Sequence, residues 1–170
     1  FGAEPQIAII RNATKMLQGG WYTMEDEALM NQKAVLGWQV YDQLFAGENA
    51  IGATIKIRGQ NYEVIGVVTY KGGSGWMNPD DQVYIPLATS MKRLFGKTNI
   101  DIITMQATHT DLMPITQKMV EDTLAIKLRS ATGENQFRVF NQGEMIDQIR
   151  QQSQLLSYLL AGIASVSLLV

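Results

Sequence analysis

The chain has 170 residues, 46% of them hydrophobic, and its 14 basic and 16 acidic side chains give a formal charge of −2. That size limits it to one domain, or two small ones sharing a core, and it buries enough surface to fold without a metal or crosslink. No cluster of Lys or Arg with interleaved aromatics points to nucleic acid, and the absence of cysteine excludes disulfides and thiolate metal sites while fitting an oxidising compartment.

Phe1 is not an initiator and no signal sequence follows it, so the expectation is an excerpt of a longer protein. Ile7-Ala8-Ile9-Ile10 is apolar throughout, and period alone does not separate a buried strand from a helix fragment. Leu17-Gln18-Gly19-Gly20-Trp21 reads as a turn. Thr23 with Asp26 three residues on has capping-box spacing, and Glu25, Asp26 and Glu27 suit the positive end of a helix dipole. Ala34-Val35-Leu36-Gly37 predicts a short strand. Trp38, Tyr41 and Phe45 then recur at helical spacing, as core packing, with Gly47 placed to stop the helix.

The region 53–68 carries the clearest strand signal. Ile55 and Ile57 alternate with polar residues, Gly59-Gln60-Asn61 reads as the turn, and Tyr62 to Val68 returns as a strand apolar on both faces near its end. Such a strand belongs in the middle of its sheet. A glycine-rich loop follows to Gln82, then a strand Val83–Leu87 in which Pro86 favours an edge or an end. A short helix over Thr89–Leu94 closes at Gly96. Ile100–Ala107 and Phe137–Phe140 are predicted strands around a helix capped by Asp111, with Pro114 in its first turn and a stripe of Ile115, Met119, Val120, Leu124 and Leu128. Strand, helix, strand predicts a βαβ unit of the split, ferredoxin-like kind.

Asn141 caps the last helix, with Glu144 in the reciprocal position. From Leu155 to Val170 the chain carries no charge, which predicts the start of a transmembrane helix. The serines in that run are compatible with packing among membrane helices.

The ordered series Ala34-Val35-Leu36-Gly37, Gln43-Leu44-Phe45, Gly52-Ala53-Thr54-Ile55-Lys56-Ile57-Arg58-Gly59-Gln60-Asn61-Tyr62-Glu63-Val64-Ile65-Gly66-Val67-Val68 and Asp80-Asp81-Gln82-Val83-Tyr84-Ile85-Pro86-Leu87-Ala88-Thr89 resembles the periplasmic core region of MacB/FtsX-like ABC-transporter permeases. The resemblance implies an α+β fold: a porter-like α/β part from residues 1–36 and 99–152, an inserted mostly-β subdomain over 37–98, and residues 153–170 entering a transmembrane helix. It also implies an inner-membrane protein with its soluble part in the periplasm, a cytoplasmic ATPase domain or subunit, a dimer of permeases, and a periplasmic adaptor, lipoprotein or peptide as partner. The work would be efflux, lipoprotein release or signalling driven by mechanotransmission. The rival reading is a membrane-anchored binding or sensor domain with no ATPase partner.

Chemistry has little foothold in the chain, and no catalytic, cofactor or metal residue is expected. His109, the lone histidine, has no second histidine at ligand spacing. Asp80-Asp81 after Pro79 is a turn signature and lacks the EF-hand pattern. Gly72-Gly73-Ser74-Gly75 is followed by Trp76 and Met77 where a phosphate loop needs Lys and Ser or Thr, so the ATP that the resemblance implies is expected on a separate domain or subunit. Asn12-Ala13-Thr14 matches a glycosylation sequon, a pattern that arises often by chance. The candidate for partner or substrate contact is the Trp76-Met77 pair at the loop tip, an aromatic beside a polarizable thioether. The competing role for Trp76 is to fold back over the hairpin.

Overall fold

The computed structural model describes residues 1–72, 78–128 and 137–169. They divide into two units, Phe1–Met105 and a second from Gln106 onward. The first unit runs β1 (Gly2–Ala3), α1 (Ile7–Ile10), β2 (Met16–Gly19), α2 (Met24–Ala28), β3 (Lys33–Leu36), α3 (Trp38–Phe45), β4 (Thr54–Ile57), β5 (Gln60–Val68) and β6 (Val83–Pro86). It closes with α4 (Leu87–Thr89), which passes directly into a π-helical turn, Ser90–Phe95.

Six strands form a sheet in the order β1-β6-β3-β5-β2, with β4 also paired to β5. The sheet therefore draws β1 to β3 from residues 1–36 and β4 to β6 from 37–98. β5 is central, as its two-sided apolar pattern requires: it runs parallel to β3 and antiparallel to both β4 and β2. Val64, Val67 and Val68 are accordingly buried. On β3, Val35 packs with Tyr22, Tyr84, Val68 and Ala13, whereas Leu36 packs with Val64, Val67, Tyr41 and Ala50 beside α3. Alternation along one strand thus feeds two core clusters, and burying each large aliphatic or aromatic side chain contributes about 1.5–3 kcal/mol.

Several local expectations hold. Thr23 Oγ1 accepts the Asp26 N–H at 3.2 Å while the Asp26 carboxylate accepts the Thr23 N–H at 2.9 Å, a complete capping box. Gly96 ends the π-helical turn in the left-handed region at φ +58°. Others shift. Ile7–Ile10 is a single helical turn. Met16–Gly19 is an edge strand on β5 instead of a turn, because its alternate residues pack and Gly19, at φ +63°, ends it only afterwards. Ala46, not Gly47, takes the left-handed position that stops α3. The hairpin turn is Arg58-Gly59, and Gln60 already pairs with Ile57. β6 lies between β1 and β3, so of the edge or end expected for Pro86 it takes the end, that of an inner strand.

Ile100–Ala107 forms no strand: Ile100, Ile102, Ile103 and Met105 are exposed and no described residue pairs with them. The alternation is present, but a strand exists only where a second backbone accepts its hydrogen bonds.

In the second unit a 3-10 turn, Thr110–Leu112, leads into α5 (Met113–Lys127). Pro114 sits in the first turn as expected. Asp111, however, lies within the 3-10 turn, and Leu112 holds the cap position with no side-chain bond. Of the apolar stripe, Val120 and Leu124 are half-buried and Ile115, Met119 and Leu128 are exposed. Phe137–Phe140 is not a strand, with Phe140 79% exposed. The βαβ unit expected from Ile100 to Phe140 is therefore not formed by the described residues.

The final helix, α6 (Gln142–Leu169), is continuous over 28 residues. Asn141 Oδ1 accepts the Gly143 N–H at 2.9 Å, the predicted cap. Among the described residues no helix is long and apolar enough to cross a membrane. The transmembrane start expected over 153–170 is not shown by the described residues.

Candidate functional site at the base of the 72–78 loop

Trp76 and Met77 lie outside the described residues, and the structure defines the residues that flank them. Asp80 is 2% exposed, and its carboxylate accepts the Lys71 N–H at 3.0 Å and the Gly72 N–H at 2.8 Å. On the other flank Asn78 Oδ1 accepts the Asp80 N–H at 3.0 Å and caps the 3-10 turn Pro79–Asp81. Residues on both sides of the loop therefore converge on Asp80. The backbone N–H groups given to this buried carboxylate replace hydrogen bonds that it would otherwise make to water.

The anchor is fixed to the sheet in turn. Gly37, between β3 and α3, donates its N–H to Gln82 O at 2.8 Å. A Cβ on Gly37 would stand 2.5 Å from Asp80 O and 2.6 Å from Pro79 O, so only glycine allows this approach. Asn78 Nδ2 donates to Gln39 Oε1 on α3 at 3.2 Å, and the Trp38 and Tyr70 rings meet edge-on with centroids 5.1 Å apart.

Behind them Lys71 Nζ donates to Arg11 O, and Arg11 Nη1 donates to Gln82 Oε1 at 3.3 Å. Burial lowers the Lys71 pKa, with Asp80 acting in the opposite direction. Burial likewise raises the Tyr84 phenol, whose hydroxyl donates to Pro79 O at 3.4 Å, against the pull of Arg11.

These contacts fix the residues on either side of 73–77 to the sheet. His109 is exposed at the start of the 3-10 turn, and no three His, Asp or Glu side chains converge among the described residues. Sequence reasoning placed Asp80 in a turn and missed that it is the buried anchor. It also missed Glu27, whose carboxylate accepts the Leu87 and Ala88 N–H groups at 2.7 and 2.6 Å and so caps α4 from 60 residues away. Spacing within one segment carries no signal for such a bond.

The profile of the MacB-like periplasmic core domain matches residues 1–136, taking in the whole sheet, the anchor and α5. The chain belongs to the MacB-like periplasmic core domain family. It is 33% identical, over its full length, to the macrolide export ATP-binding/permease protein MacB of Bdellovibrio bacteriovorus, covering 26% of that protein. It is 30% identical over 90% of its length to the pyoverdine export ATP-binding/permease protein PvdT of Pseudomonas aeruginosa, covering 23% of it. This periplasmic core domain thus spans about a quarter of the length of these relatives.

Two solved structures share the fold of the MacB-like core domain. The periplasmic region of MacB from Actinobacillus actinomycetemcomitans superposes with a TM-score of 0.64 at 22% identity, covering 88% of this chain and 64% of that one. The extracellular domain of the ABC-type transporter YknZ from Gram-positive bacteria superposes with a TM-score of 0.66 at 19% identity, covering 82% and 68%.

Proposed function

We propose that this chain is the extracytoplasmic domain of an inner-membrane ABC-transporter permease, which couples ATP hydrolysis on a separate cytoplasmic domain or subunit to export. The relatives named for macrolide and pyoverdine export support that reading. The mechanism is mechanical, and the observation that carries it is the continuity of α6 from its cap at Asn141 to Leu169. A helix without an internal break transmits tilt, so α6 serves as the lever whose apolar end leads toward the membrane. The nucleotide site lies elsewhere, and the domain itself transmits without catalysing. The working unit is a dimer of permeases, and its outer partner is an adaptor, lipoprotein or peptide.

The Trp76-Met77 loop tip is the contact device in this reading, supported by the fixed base that Asp80 gives it. Trp76→Ala would keep the melting temperature and lose transport; a drop of several degrees would instead assign Trp76 to packing. The main proposal is tested by sequencing the gene beyond Val170 together with its neighbour. Three further apolar spans and a Walker-A ATPase are expected. A kinase or other signalling domain would replace the transport reading with that of a membrane-anchored sensor.

A further inference from the structure

The cations of the first unit are unevenly spread. Positions 49–62 and 82–100 hold Lys56, Arg58, Lys92, Arg93 and Lys97 and no Asp or Glu, although the chain is net acidic. The fold brings the two stretches together: the Arg58 guanidinium lies over the Phe95 ring at 4.7 Å, and Leu94 packs on the cluster around Tyr62. Lys56 sits diagonal to Glu63 across the hairpin, and Lys97 is held by Asp101 at 3.1 Å. That leaves Arg58, Lys92 and Arg93 exposed and without a carboxylate partner among the described residues.

The backbone adds an independent observation. Arg58 occupies the first position of the two-residue hairpin turn at φ +48°. Asn, Asp or Gly serve that position without strain. An arginine held there carries strain that its exposed location does not relieve, a pattern associated with function. Lys92 and Arg93 suit the carbonyl end of their helical turn, but that does not account for Arg58.

We propose that Arg58, Lys92 and Arg93, with the Phe95 ring beneath Arg58, form a docking surface for an acidic segment of a partner protein. Guanidinium forks match carboxylates in a bidentate way, and an aromatic half-exposed under a cation gives such a segment an apolar floor. A lipid surface fits less well, since three cations attract it only modestly and the guanidinium covers one side of the ring that would have to insert. The inference is independent of the transport proposal.

The test is titration of the isotope-labelled 170-residue chain with poly-L-glutamate at low salt, following amide shifts. Shifts centred on 56–59 and 92–97 are expected. Arg58→Gln with Arg93→Gln should weaken binding about tenfold, from two partly exposed ion pairs, while Lys15→Gln with Lys118→Gln changes it no more than about twofold. Lys92→Gln with Arg93→Gln, which leaves the hairpin turn untouched, should also weaken it. Shifts centred elsewhere, equal losses in both double variants, or engagement of these residues by phosphatidylglycerol vesicles but not by poly-L-glutamate would overturn the proposal.

Discussion

Asp80 and Gly72 are joined by a 2.8 Å hydrogen bond from the Gly72 N–H to the Asp80 carboxylate, which also takes the Lys71 N–H. Asp80→Ala leaves these amides without their acceptor at a site 2% exposed. Hydrogen bonds to a charged group are worth about 1.5–3 kcal/mol each, partly recovered if water enters. The expected loss is about 2–3 kcal/mol by urea denaturation, and an unchanged midpoint would show that the loop base is held by other contacts.

Gly37→Ala tests the same base from the sheet side. The added Cβ would meet two backbone oxygens, Asp80 O and Pro79 O, neither of which can rotate away. Overpacking of this kind costs about 1–3 kcal/mol. The measurable signature is a fall in melting temperature together with faster amide exchange at Lys71 and Gly72.

Two buried tyrosines should respond oppositely to loss of their hydroxyls. Tyr22 Oη donates to Ala3 O at 2.7 Å, whereas Tyr62 Oη is buried with no hydrogen-bond partner among the described residues. Tyr22→Phe should cost about 1 kcal/mol, and Tyr62→Phe should be neutral or stabilise by up to about 1 kcal/mol. Equal destabilisation by both would contradict this assignment.

Asp26 links stability to pH. Burial pushes its carboxyl up, but the Lys33 ammonium at 2.7 Å and hydrogen bonds from Thr23 and Asn31 outweigh that and hold it well below the usual carboxylate range. Because the folded pKa is depressed, its contribution is fully present above the unfolded value of about 4 and is lost as pH falls below it. The stability gap between wild type and Asp26→Asn should therefore narrow between about pH 5 and pH 2. A gap that stays constant over that range in urea titrations would contradict the linkage.

What could be read from the sequence was local. The Thr23–Asp26 box, the hairpin, the central place of β5 and the cap at Asn141 each depend on residues a few positions apart. The anchor at Asp80 and the cap from Glu27 depend on which segments the sheet brings together, so their residue types alone looked like a turn and a helix start. Ile100–Ala107 and Phe137–Phe140 fail for a related reason: alternation states a preference, but a ladder needs a neighbour. Trp76 and Met77, the contact pair read from the sequence, gain from the structure only a defined base.

The central claim, that α6 is a lever joining this domain to ATP-driven motion, is tested most directly by Gln152→Pro in the full-length protein. Proline removes an intrahelical hydrogen bond and kinks the helix, at a local cost of about 3 kcal/mol. Position 152 is exposed and lies ten residues beyond the start of α6 at Gln142. The measurement is ATP hydrolysis and substrate export side by side in reconstituted vesicles, with the fold of the extracytoplasmic domain checked by circular dichroism. Hydrolysis retained with export lost is the predicted result; export unchanged by the kinked helix would contradict the account.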